Sequence, residues 1–218
     1  MILGPLLGSG RTAEVYAVDD QRVLRRVRAG IDVNSEAAAL SYAVAHGYPA
    51  PRLYELRGQD MLMQRLYGPT MLTAVVTGEM HLGSVAAVLA DLLRALHRLP
   101  PRPGADSQTR LLHLDLHPDN VILTSSGPVV IDWTTARDGT PALDVALSAL
   151  IIAQIAADAE HQAAQLARSL LAAFLDHGLE LLDQLPAAAT IRGANPTMTP
   201  RELSLIPDAV ALIHSLAA

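Results

Sequence analysis

Residues 113–133 constrain the chain more than any other stretch: His113-Leu114-Asp115-Leu116-His117-Pro118-Asp119-Asn120, then an apolar run reaching Val130-Ile131-Asp132-Trp133. The segment between Asn120 and Asp132 reads as a β-hairpin. One tight loop and one hairpin therefore bring an Asp, an Asn and a second Asp together in a fixed order. Phosphoryl transfer from a nucleotide needs such a set. One carboxylate orients the attacking hydroxyl and takes its proton, while an amide and another carboxylate hold metal ions on the phosphates. Rigid placement matters because positioning supplies most of that catalysis. Any one of these residues alone would serve as a turn former or helix cap; the ordered combination carries the argument.

The segment resembles the catalytic and metal-binding loops of the aminoglycoside phosphotransferase family, relatives of the protein kinases. In that family the second position is usually Gly, where this chain has Leu114. The resemblance implies an α+β, protein kinase-like fold of two lobes forming one domain over residues 1–218. The small N-terminal lobe, 1–66, would be an antiparallel, nucleotide-binding sheet with one helix. The larger, mainly helical lobe, 67–218, would carry the catalytic loop, metal site and acceptor pocket. Asp115 becomes the base or orienting group, and Asn120 and Asp132 the ligands of Mg2+. His113 would support the loop; His117 either faces the acceptor or packs inside.

The front of the chain has the matching order. Gly8-Ser9-Gly10 precedes an alternating apolar strand, Ala13 to Val18. Glycines let a backbone hairpin approach phosphates and aim successive N–H groups at an anion, although Gly-Ser-Gly also makes a plain hairpin turn. Gln21 to Val27 is a second, positively charged strand. Where the family has a Lys on this strand, the matching residue is Arg25, or Arg26 if the register slips by one. Arg is a planar fork on a longer side chain, so the exchange keeps the charge and alters the geometry. A helix follows from Glu36 to Ala45, capped by Asn34 or Ser35. Glu36 in its first turn suits the helix dipole, and by resemblance pairs with Arg25; both readings hold together.

Leu53 to Leu56 and Met61 to Leu66 read as paired strands, and Tyr67-Gly68-Pro69-Thr70 breaks the pattern. By resemblance this is the link between the lobes, where the Gln64 carbonyl and Leu66 amide meet the nucleotide base, with Met63 behind them. Met80 to Leu99 is an amphipathic helix. His97, in its last turn, is read as a helix-end residue without a chemical role. Asp144 opens an apolar helix running to Ala157; by resemblance its carboxylate braces the catalytic loop through backbone N–H groups. That apolar run is shorter than the ~20 residues needed to cross a bilayer. One or two helices are expected over 159–185, a loop or short helix over 186–200, and a final helix broken near Pro207. The acids there, Asp176, Glu180, Asp183, Glu202 and Asp208, read as a solvated face and none is assigned to binding.

The 218 residues are half hydrophobic, enough for a core, and the net charge of −6 argues against a nucleic-acid partner. With no cysteine, disulfides and thiolate metal sites are excluded. Met1 to Pro5 lacks the charged region and apolar run of a signal peptide, so the expected location is the cytoplasm, without membrane attachment. The function expected is an ATP- and Mg2+-dependent phosphotransferase, with GTP able to replace ATP. It would move the γ-phosphate to a hydroxyl of a small molecule: an aminoglycoside, another antibiotic or an amino sugar. The sequence leaves the oligomeric state open. Two alternatives stand beside that function. The first is a silent or slow kinase-like protein that binds a nucleotide and acts through a partner. The second is a protein kinase, against which Trp133-Thr134 stands where Phe-Gly would follow the metal Asp.

Overall fold

The structure, a computed structural model, describes residues 3–217; Met1 and Ile2 of the N-terminal stretch read above, and Ala218, lie outside the described residues. Five strands come first in the chain: β1 (Leu6–Ser9), β2 (Ala13–Ala17), β3 (Arg22–Val27), β4 (Leu53–Arg57) and β5 (Asp60–Gln64). They form one antiparallel sheet in the order β1-β2-β3-β5-β4. The last strand ends at Gln64, two residues short of the sequence expectation, so Leu66 lies in the connection that follows. Helix α1 (Val33–Ala45) crosses between β3 and β4 and buries Ala37, Leu40 and Ala43. Its cap is Asp32, whose carboxylate accepts from the amides of Asn34 and Ser35; those two residues, expected as caps, lie inside the first turn.

The register of β3 decides which arginine turns inward. Val15, Arg25 and Met61 lie opposite one another on β2, β3 and β5. Arg25 is 8% exposed, whereas its neighbour Arg26 points outward and pairs with Asp60 across the sheet at 2.7 Å. A strand alternates faces with period two, so a slip of one residue would exchange their places.

The remainder is mainly helical. Short α2 (Met71–Val76) and long α3 (Leu82–His97) precede the motif region. A small ribbon pairs β6 (Arg110–Leu112) with β9 (Arg137–Gly139), and the expected hairpin is β7 (Val121–Thr124) with β8 (Gly127–Val130). Helix α4 (Pro141–Ala157) is buried nearly all round from Asp144 to Gln154, which marks it as the centre of the core. Around it pack α3, α5 (Ala164–Leu175), α6 (Leu185–Gly193) and α8 (Ile206–Ala217), with one-turn α7 (Pro200–Ser204) preceding α8. The break before Pro207 falls at Leu205, between α7 and α8. No helix among the described residues is long and apolar enough to cross a membrane.

The sheet part clasps the β7–β8 hairpin from both sides. The Pro49 carbonyl, after α1, accepts from the Val130 amide at 2.8 Å, and the Pro69 carbonyl, after β5, accepts from Leu123 at 2.9 Å. Thr70 also bridges to Ile122. Gly68 permits this close approach: at φ 145°, a Cβ there would stand 1.9 Å from the Leu123 carbonyl oxygen.

Candidate active site

The hairpin register brings the motif residues together. With Val121 opposite Val130, the next pair outward joins Asn120 to Ile131, whose amide donates to the Asn120 carbonyl at 3.0 Å. Asp132 follows at once, in the left-handed region at φ 60°. On the other side, His117 caps the 3-10 turn Pro118–Asn120, and Asn120 Nδ2 donates to the Asp115 carbonyl at 2.9 Å and to its Oδ2 at 3.2 Å. His117 Nε2 also lies 3.2 Å from Nδ2, and with these three contacts on Nδ2 Asn120 Oδ1 makes no hydrogen bond among the described residues. His117 faces the cleft beside Asp115; burial pushes its imidazole below the usual range, against the opposing pull of Asp115 and Asp119, and so favours the neutral ring.

Arg25 reaches from the sheet into this group. Its Nη1 bonds Glu36 at 2.7 Å, while Nη2 bonds Asp132 Oδ1 at 3.0 Å and the Thr134 hydroxyl at 2.8 Å. The Thr134 hydroxyl lies 2.7 Å from Asp132 Oδ1 and 3.2 Å from Glu36. Burial pushes the Glu36 carboxyl up; the Arg25 charge opposes that and the Asp132 charge adds to it. Asp132 Oδ2 and Asn120 Oδ1 make no hydrogen bond among the described residues. Two such oxygens fit Mg2+, which takes one or two protein ligands and completes its octahedron with phosphate oxygens and water.

Asp144 fixes the loop behind Asp115. It is fully buried and accepts from the amides of His113 at 3.0 Å and Leu114 at 2.7 Å, and it meets His97 Nε2 at 2.9 Å. His97, the last residue of α3 as expected, is thus also the third group around this carboxylate, a structural contact that the sequence reading did not foresee. His113 is itself buried, against the Ile131 carbonyl at 3.1 Å and edge-on to Trp133. Leu114 adopts φ 63°, a conformation that favours Gly. Its side chain is 5% exposed, so burial offsets the backbone strain. Truncation separates the two effects: Leu114→Ala loses the side chain and keeps the strain, whereas Leu114→Gly loses both. Leu114→Gly is therefore expected to be the more stable variant by about 1 kcal/mol in urea unfolding, the reverse of the usual order.

Asp115, Asn120, Asp132 and Thr134 line a cleft of about 1100 Å3, together with Gln154 and Arg192; Arg25 and Glu36 lie behind its wall and do not line it. Arg11 and Thr12, at the tip of the β1–β2 turn, line it as well; Gly8, Ser9, Gly10, Gln64 and Leu66 do not. The turn is closed by the Gly10 amide on the Ala13 carbonyl at 2.9 Å, and a Cβ at Gly8 or Gly10 would meet no close neighbour. Arg11 crosses the cleft mouth to Glu202 at 2.7 Å and to the Thr197 carbonyl at 3.0 Å. Burial pushes the Glu202 carboxyl up, but the bonds from Arg11 and Thr199 outweigh it and hold the group at about 2 against an ordinary 4.5. A depressed pKa stabilises the fold above the unfolded value and ceases to do so as pH falls toward the folded one. The stability lost in Arg11→Ala, below about 1 kcal/mol for so exposed a pair, is therefore expected to shrink as pH falls from 4.5 toward 2. Urea unfolding of both proteins along that pH series measures it.

The sequence reading missed three cleft residues. Thr134 lies two positions after Asp132, and nothing in a single Thr signals an ion-pair bridge. Arg192 and Gln154 come from α6 and α4, and only their packing brings them to Asp115: Arg192 Nη1 lies 3.7 Å from Asp115 Oδ1, and its Nε donates to Gln154 at 2.8 Å.

Comparison with known proteins gives three findings. A family model described as "Phosphotransferase enzyme family" (APH) matches residues 4–106 and 80–185. Thiamine kinases of Salmonella paratyphi B and Salmonella newport are 46% identical over 56 residues, a stretch that spans 25% of this chain and only 20% of theirs. Among solved structures, a choline/ethanolamine kinase family protein from Mesorhizobium loti aligns over 98% of this chain and 88% of its own, with a TM-score of 0.59 and 18% identity. The gentamicin complex of the aminoglycoside phosphotransferase APH(2")-IIa aligns over 98% and 91%, with a TM-score of 0.60 and 12% identity. A thermostable mutant of APH(4)-Ia with AMP-PNP and hygromycin B aligns over 99% and 94%, at 0.54 and 16%. At these identities the likeness concerns the fold.

Proposed function

This chain belongs to the phosphotransferase enzyme family, in the two-lobed kinase-like fold, and from that premise we propose that it transfers the γ-phosphoryl group of ATP to a hydroxyl of a small molecule. The observation that carries the reading is that the open end of the hairpin holds Asn120, in contact with Asp115, beside Asp132 just past the facing strand, all on one cleft. The acceptor hydroxyl would hydrogen-bond Asp115. As its oxygen attacks the γ-phosphorus, the bond from phosphorus to the β–γ bridging oxygen breaks, ADP leaves, and the hydroxyl proton passes to Asp115. Asn120 and Asp132 would hold Mg2+, which supplies charge neutralisation on the phosphates when bound. Arg25, anchored by Glu36, would meet the phosphates beside it, and Gly8, Ser9 and Gly10 would cover them once the β1–β2 turn settles on a nucleotide. The Gln64 carbonyl and Leu66 amide would meet the base.

GTP would make the same phosphate contacts, but guanine presents the reverse order of donor and acceptor to the Gln64 carbonyl and Leu66 amide, so it would have to shift to pair with them. The acceptor classes suggested by the relatives are an aminoglycoside, another antibiotic or amino sugar, or an alcohol such as that of thiamine; the cytoplasm is the setting that suits an ATP user. A second reading has one observation in its favour: Arg25 Nη2 holds Asp132 Oδ1 directly, so a metal ion must share that carboxylate with a cation. A silent nucleotide-binding protein would tolerate this. ADP release from Mg-ATP, measured with and without each acceptor class, separates the two. Acceptor-dependent release supports the transferase. Tight Mg-ATP binding with no acceptor-dependent release across all classes supports the silent binder.

A further inference from the structure

Arg192 is a largely enclosed cleft cation with most of its donors unused. Its side chain is 16% exposed, and burial pulls the guanidinium below the usual arginine range, with the Asp115 charge opposing. Among the described residues it makes one hydrogen bond, Nε to Gln154. The 3.7 Å approach of Nη1 to Asp115 Oδ1 is too long for a hydrogen bond. Both terminal amino groups are therefore left without a hydrogen-bonded acceptor in a largely enclosed place, where an underused cation is costly.

Two observations say what the missing anion belongs to. The Asp115 carboxylate is divided: Oδ2 faces Asn120 and the metal side, and Oδ1 faces Arg192. Arg192 therefore stands across Asp115 from the groups assigned to the nucleotide phosphates. The cleft wall around it is apolar, with Ile151, Ile155, Ile191 and Leu205. Of the acids that line the cleft, Asp158 is paired with Arg201 at 2.6 Å and Glu202 with Arg11 at 2.7 Å, while Asp115, Asp119 and Asp132 also face it. The pocket thus presents apolar surface and, at Arg192, a largely enclosed cation with unused donors; Arg137, which lines the same cleft without a side-chain hydrogen bond among the described residues, is exposed.

We infer that Arg192 binds an anionic group of the acceptor, so that the acceptor is a small amphipathic alcohol bearing a carboxylate or a phosphate. The inference rests on the phosphotransferase reading for the placement of the acceptor, and a planar fork suits either anion through paired N–H donors. Calorimetric titration of the full chain tests it in two arms. The first titrates Mg-AMP-PNP into wild type and Arg192→Met. The second titrates benzoate, inorganic phosphate and benzyl alcohol into each AMP-PNP-saturated protein.

The expected result is binding of at least one anion, weakened about tenfold or more in Arg192→Met, with AMP-PNP affinity unchanged. Preference for benzoate identifies a carboxylate-bearing acceptor, and preference for phosphate a phosphorylated one. Absence of anion binding, or anion binding indifferent to the substitution, overturns the inference. So does a parallel loss of AMP-PNP affinity, which would give Arg192 to the γ-phosphate. If wild type takes no AMP-PNP, the phosphotransferase reading falls separately, and the anion titration of nucleotide-free protein still decides Arg192. Arg192→Gln, which keeps a donor and most of the bulk, repeats both arms should the Met variant unfold.

Discussion

Asp115→Asn is expected to lower acceptor-dependent turnover by about 10²- to 10⁴-fold, the range that a positioned general base supplies. The replacement is nearly isosteric, and its amide oxygen can still accept from Asn120 Nδ2, so the loop keeps its shape. What disappears is the carboxylate that takes the proton of the acceptor hydroxyl. The Michaelis constant for ATP should stay near wild type, because the groups assigned to the phosphates lie on the hairpin and the sheet. Steady-state ADP release at saturating acceptor measures both constants. A variant retaining most of the wild-type rate would remove Asp115 from the chemistry and leave it a positioning role.

The second large effect concerns stability. Asp144→Ala should cost about 3–5 kcal/mol, the range for removing one member of a buried ionic or polar cluster. Three buried groups lose their acceptor at once: the amides of His113 and Leu114, and His97. Leu114 also loses the bond that helps hold its left-handed backbone. Asp144→Asn should fall between, because one of its two ends becomes a donor facing groups that themselves donate. His97→Ala removes a single contact and should cost about 1–3 kcal/mol. Urea unfolding ranks the three variants. A His97→Ala cost equal to that of Asp144→Ala would mean that the two backbone bonds contribute little.

The parts legible in the sequence share one property: their signal is local. The apolar run from Asn120 to Asp132 announces a hairpin, and the strongly apolar stretch after Asp144 announces a buried helix, so the order of elements could be read locally, while the two-lobed fold followed from the family resemblance of the motifs. Features made by packing between distant segments could not. Residues 185–193 carry Pro186 and three alanines, a weak pattern that becomes a helix against α4 and α8, and Arg192 inherits its position from that packing. The β6–β9 ribbon has three residues per strand, too few for an alternation to show. His97 looked like an ordinary helix end because its partner lies 47 positions away. In α1 two good capping residues, Asn34 and Ser35, followed a third, Asp32, and local propensity alone could not rank them.

The clasp on the β7–β8 hairpin has a kinematic consequence. Backbone bonds from Pro49 and Pro69, together with the Thr70 bridge, tie that hairpin to the two segments leaving the sheet. Any rotation that widens the cleft and keeps those bonds must carry Asn120 and Asp132 along with Arg25 as one rigid body. The hairpin is also tied to α4, through His113 on the Ile131 carbonyl and Asp144 on the His113 and Leu114 amides, so the relative displacement is left to the cleft mouth, at Arg11 against Glu202. Under the proposed function, the groups assigned to the phosphates would keep their mutual geometry while the cleft mouth widens.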